Sequence, residues 1–191
     1  MNARRFTAGL LATIVTVALA GCSSRDREEA CDTREGVIEC APDQRSAPPK
    51  LAGELLTGGS YDVAKDRGQV VVVNFWGSWC APCRAEADDL EGTYQATRAS
   101  GVTFLGVNIQ DQRDKALAFE ESFKITYPSL FDPPSRLALA LDIAPNTIPA
   151  TVVLDRDGRI AVVIRAAVKR ESFQPIVERI AAEQPAPNGS R

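Results

Sequence analysis

The chain has 191 residues, with 22 basic and 25 acidic side chains, and its net charge of −3 argues against nucleic-acid binding through a basic surface. It contains no histidine. This excludes zinc sites of the Cys/His type, haem attachment through a C-x-x-C-H motif and catalytic pairs that need a histidine. A hydrophobic content of 45% is sufficient for the buried core of one ordinary domain.

Residues 1–21 predict an export signal. Two arginines precede an uncharged, mostly apolar run over residues 6–20, which is shorter than the roughly 20 residues that a membrane-spanning helix needs. The sequence Leu-Ala-Gly-Cys, ending at Cys22, follows this run and resembles the lipobox of bacterial lipoproteins, in which the cysteine is lipidated. An ordinary cleavage site of the A-x-A type at residues 18–20 and an uncleaved anchor are the two alternatives.

Residues 22–47 predict a tether, because they are rich in charged and turn-forming residues and hold too few large apolar side chains to fold alone. Cys31 and Cys40 lie within this segment, close enough in sequence to pair. A disulfide between them would restrict the unfolded chain by roughly 2.5–3 kcal/mol in the loop-entropy model. We favour this structural role; the alternative is that the pair relays electrons to another cysteine pair.

Residues 48–184 predict an α/β domain with a central mixed β-sheet flanked by helices, followed by a disordered tail at residues 185–191. Continuous apolar runs indicate parallel strands that are covered on both faces, and a hairpin near the end adds antiparallel strands. In chain order, the patterns predict short extended pieces around Gly58-Gly59, a strand over 69–76, a helix over 83–99, a strand over 102–109, a helix over 114–123, a short helix over 135–141 with Ser135 as its N-cap, two strands over 150–165 joined at Asp157-Gly158, and a helix over 171–183.

Cys80 and Cys83 lie between the first predicted strand and helix, in the sequence Trp-Cys-Ala-Pro-Cys. Pro82 is favoured in the first turn of a helix, which places Cys80 beside free backbone N–H groups and the positive end of the helix dipole, where a thiolate is stabilised. Cys83 should lie one turn further along and be less exposed. The pair therefore predicts dithiol–disulfide exchange, in which Cys80 attacks and Cys83 resolves the mixed disulfide.

Two other interpretations of this cysteine pair are weaker. Half of a zinc site would need a second pair of ligands, and the spacing of Cys31 and Cys40 does not suggest one. A purely structural disulfide would close a loop too small to order much of the chain.

The strand and cysteine motif over residues 71–83, together with the sequence NTIPATVVLD at 146–155, resembles the thioredoxin superfamily. With the lipobox, FWGSWCAPCRAE and GVNIQD are similar to the membrane-tethered extracytoplasmic TlpA/ResA group. The resemblance extends over residues 48–183. It implies a thioredoxin-like fold in which Pro149 follows a cis peptide bond, and the backbone of Ile148 pairs with an extended substrate peptide beside the cysteines. Alternatively, Pro149 merely begins a strand.

The same resemblance implies further site residues. Asn74 stands where cytoplasmic thioredoxins carry a buried aspartate, and Glu86 is the substitute acid in the TlpA/ResA group, on the same side of the helix as Cys83. A partly buried carboxylate there would exchange protons with a thiol. The alternative is an ordinary first-turn acid that the helix dipole favours. Trp79, Ala81 and Pro82 complete the expected substrate-binding surface.

Taken together, these features predict an extracytoplasmic thiol–disulfide oxidoreductase, lipid-anchored through Cys22 to the bacterial cell membrane, that needs no cofactor or metal and binds no nucleic acid. The resemblance implies that it reduces disulfides of exported proteins such as apocytochrome c, with electrons from a membrane protein. The alternatives are an oxidase of secreted thiols, a non-catalytic binding lipoprotein and a peroxiredoxin-type peroxidase. The two vicinal cysteines argue against the peroxidase.

Overall fold

The computed structural model describes residues 31–183. The predicted signal peptide, Cys22 and the predicted tail at 185–191 lie outside the described residues. Within residues 31–183, no helix is both long enough and apolar enough to cross a membrane.

A seven-stranded mixed sheet organises the described chain, with the strand order β1-β2-β9-β8-β5-β6-β7. β5, β6 and β7 run parallel to one another, whereas the other neighbours in this sheet are antiparallel. β3 and β4 form a separate hairpin. The elements are β1 (Cys31–Arg34), β2 (Val37–Cys40), β3 (Ala52–Glu54), β4 (Ser60–Asp62), β5 (Val70–Trp76), α1 (Ala81–Thr97), β6 (Val102–Ile109), α2 (Arg113–Ser122), β7 (Ser129–Asp132), α3 (Arg136–Leu139), β8 (Ala150–Leu154), β9 (Ile160–Ile164) and α4 (Arg170–Ala182).

β5 is the central strand, and every one of its residues is buried. Successive side chains of a strand point to opposite faces of the sheet. On one face Val72 packs with Leu90 of α1 and Phe173 of α4. On the other face Val73 packs with Ala138 of α3. The continuous apolar run therefore reflects a strand covered on both sides, and the predicted α/β fold with a mixed sheet is confirmed.

Residues 31–47 differ from the predicted tether. β1 and β2 form a hairpin, and β2 extends the main sheet by pairing with β9. A disulfide between Cys31 and Cys40 closes the open end of this hairpin. No residue of β1 or β2 is fully buried. The hairpin is therefore held by backbone pairing and the disulfide rather than by a large apolar core, which is why its composition resembles a tether.

Arg45 fastens the segment after this hairpin to the end of the chain. Its side chain is 2% exposed and donates to a carboxylate oxygen of Asp155 at 3.1 Å. It also donates to both carboxylate oxygens of Glu183, at 2.6 and 2.8 Å, and to the carbonyl oxygen of Cys40 at 3.2 Å. Residues 31–47 are thus part of the folded unit.

We expect Arg45→Ala to lower the free energy of unfolding by about 2 to 3 kcal/mol, because it leaves Asp155 buried without one of its two guanidinium partners. Chemical denaturation of the oxidised protein measures this loss. Arg34→Ala is the matched control: Arg34 and its partner Asp32 have side chains 84% and 58% exposed, and such pairs contribute less than about 1 kcal/mol. If both variants lost the same free energy of unfolding, the Arg45 contacts would not be what stabilises this segment.

Candidate active site

Cys80 is the N-cap residue of α1, and Cys83 lies in the first turn of this helix. The helix begins at Ala81, two residues earlier than predicted, and Pro82 occupies its first turn as expected. The sulfur of Cys80 accepts a hydrogen bond from the backbone N–H of Cys83 at 3.2 Å. A disulfide joins the two cysteines. In the reduced protein, the same N–H and the helix dipole would stabilise a Cys80 thiolate.

Both cysteines are buried, with Cys80 3% and Cys83 2% exposed. Cys83 is less exposed than Cys80, as expected, but only by one percentage point. The loop before β8 lies close to Cys80, whose sulfur is 3.7 Å from the carbonyl oxygen of Ile148. Apolar side chains that include Leu56 and Phe119 pack around the pair. The loop that contains Ile148 therefore borders the Cys80 sulfur.

The Ile148–Pro149 peptide bond is cis, and the loop that contains it faces the cysteines as the resemblance implies. Pro149 is buried and Ile148 is half-buried. Ala150 follows directly as the first residue of β8 and pairs with Phe75 at the end of β5. This pairing brings the proline loop to the end of β5 from which the cysteine motif emerges.

Trp79 forms an exposed wall beside Cys80. The side chain is 52% exposed, and its indole N–H donates to the carbonyl oxygen of Gln110 at 3.0 Å. The ring lies so close to Gly77 that a Cβ there would be 2.7 Å from the indole nitrogen. Trp76, by contrast, is 4% exposed and stacks on Phe119 with 4.5 Å between ring centroids. Trp79 is therefore available to a partner and Trp76 belongs to the core.

Ala81 and Pro82 are also exposed at the start of α1. With Trp79 on one side and Ile148 on the other, they border the approach to Cys80. The predicted substrate-binding residues are thus gathered around one surface of the domain.

Glu86 is a buried carboxyl group, 1% exposed, on the helix that carries the cysteines. One carboxylate oxygen accepts from the side-chain amide of Asn74 and the other from the backbone N–H of Val168, each at 2.8 Å. Burial raises the pKa of Glu86 to about 7, against the opposing effect of these two donors. The alternative of a first-turn acid does not fit, because α1 has no acidic residue in its first turn.

The sequence does not predict one hydrogen-bond partner of Glu86, Val168, or one partner of Asn74, Thr151. Val168 lies 82 positions from Glu86, and its backbone N–H carries no sequence signal. Thr151 accepts from the same Asn74 amide at 3.1 Å. Asn74 was predicted only as a departure from thioredoxins, whereas here it holds the carboxyl group in place. An amide at this position fits an enzyme whose buried acid comes from the helix instead of the strand.

A small cavity beneath the cysteine pair is lined by Asn74, Cys83 and the buried Ser129, among others. Its size is sufficient for about one water molecule. Asn74, which lines this cavity together with Cys83, also donates to Glu86.

The hairpin disulfide lies far from this site. Glu39, next to Cys40, aligns through β9 and β8 with Val72 of β5, whereas Cys80 follows the end of β5 at Trp76. With about 4.8 Å between strands and about 3.3 Å per residue along them, the two disulfides are roughly 20 Å apart. This separation argues against direct exchange between them within one molecule. Among residues 31–183, no group of three or more Cys, Asp or Glu side chains could hold a metal ion.

Comparison with known proteins identifies the family. The model of the AhpC/TSA family matches residues 44–163, more than half of the chain. The thiol-disulfide oxidoreductase ResA of Geobacillus kaustophilus is 29% identical over 135 residues, which are 71% of this chain and 76% of that protein. The chain therefore belongs to the AhpC/TSA family.

Two solved structures are similar over nearly the whole of their own chains. A DsbF homologue from Corynebacterium diphtheriae has a TM-score of 0.71 and 29% identity, covering 88% of this chain and 99% of that one. A secreted thiol-disulfide isomerase from Corynebacterium glutamicum has a TM-score of 0.74 and 30% identity, covering 90% and 99%. The fold is thioredoxin-like, and with its cysteine pair the protein is a thiol–disulfide oxidoreductase.

The raised pKa of Glu86 predicts a pH-dependent stability. Below its ordinary pKa of 4.5 the carboxyl is protonated in both folded and unfolded protein, and above about 7 it is ionised in both. Between these values the folded state alone holds the proton, so stability falls as the pH rises. Relative to Glu86→Gln, the wild-type protein should lose about 3 kcal/mol across this window.

Denaturation of both oxidised proteins from pH 4 to 8 tests this expectation. Asp88→Asn on the exposed side of α1 is the matched carboxylate-to-amide control and should keep the wild-type pH dependence. A constant difference between wild type and Glu86→Gln over the whole range would contradict the expectation.

Proposed function

We propose that this oxidoreductase acts at the outer face of the cytoplasmic membrane, anchored by lipid on Cys22, and reduces disulfides of exported proteins such as apocytochrome c. The observation that carries the exchange mechanism is the position of the Cys80 sulfur, which receives the Cys83 N–H at 3.2 Å and lies 3.7 Å from the Ile148 carbonyl. The Cys83 N–H stabilises the Cys80 thiolate, and the Ile148 carbonyl borders the path of an incoming peptide.

The reaction begins with the reduced enzyme. The Cys80 thiolate attacks one sulfur of the substrate disulfide; that bond breaks, and the other substrate sulfur leaves as a thiolate that takes up a proton. The Cys83 thiol loses its proton, and its sulfur then attacks the Cys80 sulfur, which releases the second substrate thiol and forms the enzyme disulfide. Two electrons have passed to the substrate, and a membrane donor of two electrons returns the enzyme to the dithiol.

In this proposal, Glu86 exchanges the proton of Cys83. A carboxyl group with a pKa of about 7 changes its protonation state close to neutral pH, which suits both removal and return of a thiol proton. Asn74 contacts Glu86 and lines the cavity beside Cys83. Trp79, Ala81 and Pro82 contact the substrate chain, and the backbone of Ile148 pairs with it beside Pro149.

The direction of electron flow depends on the difference between two reduction potentials. Equilibration of the Cys80–Cys83 pair with glutathione and with dithiothreitol buffers measures the enzyme's potential. A potential well below that of glutaredoxins, about −200 to −230 mV, supports reduction. A value near that of protein disulfide isomerase or higher, about −180 mV and upward, would overturn it in favour of an oxidase or isomerase.

We expect Cys83→Ser to accumulate mixed disulfides with partner proteins, because the first attack remains and the resolving step is lost. All adducts should run through Cys80 and be cleaved by dithiothreitol. Immunoprecipitation under non-reducing conditions followed by mass spectrometry identifies the partners and the linked cysteines. If apocytochrome c is one of the trapped partners, the result supports it as the proposed substrate.

Cys80→Ser is the matched control and should trap few adducts or none. The same experiment in a background with Cys31 and Cys40 replaced by serine excludes the hairpin disulfide as the source. If both active-site variants trap equally, the assignment of Cys80 as nucleophile is wrong. The absence of any adduct with Cys83→Ser would favour a non-catalytic binding protein.

The proposed anchor at Cys22 has its own test. Cys22→Ala should release the protein from the membrane fraction or block its maturation, because two or more acyl chains give stable binding where none remains in the variant. Fractionation and mass spectrometry of the mature N-terminus measure both outcomes. Membrane retention with normal processing in the variant would contradict the lipoprotein proposal.

A further inference from the structure

Two loops meet beside the active site. β5 and β6 are parallel neighbours, with Trp76 opposite Asn108 near their carboxyl ends. The chain that leaves β5 carries Ser78, Trp79 and Cys80, and the chain that leaves β6 carries Asp111. Because parallel neighbours end at the same sheet edge, these two loops contact each other.

Asp111 is the centre of that contact and accepts four hydrogen bonds. One carboxylate oxygen accepts from the backbone N–H of Ser78 at 2.6 Å and from the side-chain amide of Asn108 at 2.9 Å. The other accepts from the hydroxyl of Ser78 and from the backbone N–H of Gln112, both at 2.8 Å. Partial burial opposes ionisation, but these donors outweigh it and hold the pKa of Asp111 below its ordinary value.

The contact fixes the residues that flank the nucleophile. Ser78 is held through both its backbone and its side chain, and the next residue, Trp79, is held by its indole N–H on the carbonyl of Gln110. Gln110 has a φ of 50°, in the left-handed region. The backbone N–H of Cys80 closes the turn by donating to Gly77 at 3.1 Å. The two loops are therefore joined at two adjacent positions just before the nucleophile.

We propose that Asp111 is a positioning residue for disulfide exchange. It acts through Ser78, and it holds the Trp79 side chain and Cys80 in the orientation that a polypeptide substrate needs. Asp111 itself does not touch the reacting sulfurs. Its ionised carboxylate supplies the acceptors for a turn whose N–H would otherwise be unpaired. This role requires the exchange reaction and is independent of its direction in the cell.

The alternative is that Asp111 only stabilises the fold. A double-mutant cycle on the reduction of insulin, with dithiothreitol present to regenerate the reduced enzyme and the rate of dithiothreitol alone subtracted, separates the two. Its variants are Asp111→Asn, Trp79→Phe and the double mutant. Trp79→Phe keeps an aromatic ring and removes the N–H that binds Gln110. The oxidised and reduced states of each variant are first checked for folding by circular dichroism.

We expect Asp111→Asn to lower kcat/KM for insulin by about tenfold, mainly through a higher KM, because the amide nitrogen cannot accept the two hydrogen bonds that one carboxylate oxygen accepts. Trp79→Phe should also lower kcat/KM, again mainly through a higher KM. The kcat/KM of the double mutant should be little lower than that of the more impaired single variant, because both substitutions remove contacts that hold the same Trp79 side chain in place. Ser78→Ala, which removes one of the four bonds, should give a smaller loss and completes the series if Asp111→Asn does not fold.

Asp114→Asn, an exposed carboxylate three residues further on, is the matched control and should retain wild-type kinetics. The proposal is overturned if the losses of the two single variants add fully, if kcat falls with KM unchanged, or if the control loses as much. A wild-type enzyme that reduces no insulin would instead count against the reductive function proposed above. In that case, the same cycle is run on the oxidation of reduced ribonuclease A by the oxidised enzyme.

Discussion

The pairing of β5 with β6 on one side and with β8 on the other is the constraint on which the site depends. It brings the carboxyl ends of two parallel strands and the start of an antiparallel strand to a single edge of the sheet. The cysteine motif, the Asp111 loop and the Ile148–Pro149 loop all emerge there. Backbone pairing thus brings Cys80, Trp79 and the Ile148–Pro149 loop, which lie up to about 70 positions apart in the chain, to one surface.

A buried carboxyl group, that of Glu86, lies on the helix that follows the cysteine motif. Glu86 has only two described donors, the Asn74 amide and the Val168 N–H, and these do not fully compensate for its removal from water. The group is therefore poised to gain or lose a proton near neutral pH. Burial of this acid therefore makes the folded state less stable at neutral pH than at acid pH, and carboxyl groups with a pKa shifted in this way are common at functional sites.

The parts that the sequence predicted are those with a strong local signal. The apolar runs of β5 and β6 and the hairpin turn at Asp157-Gly158 each determine their element through burial or turn geometry. Cys80 and Cys83 follow from the strand, the proline and the helix. The β1–β2 hairpin could not be predicted, since its stability comes from backbone pairing and the Cys31–Cys40 bond. The N–H of Val168 and the burial of Cys80 depend on loops that pack from far along the chain.

The Arg45 contacts join the first and last parts of the described chain at the sheet end remote from Cys80. Cys31 lies at that same end, paired with Cys40. Cys22 is nine residues before Cys31, and nine residues can span at most about 30 Å. A lipid on Cys22 would therefore attach the domain to the membrane at the end that is remote from Cys80. On the proposal that Cys22 carries lipid, the attached end of the domain and Cys80 would lie at opposite ends of the sheet. A membrane-embedded electron donor would then reach Cys80 only if it extends past the body of the domain, or if the domain rotates about its point of attachment.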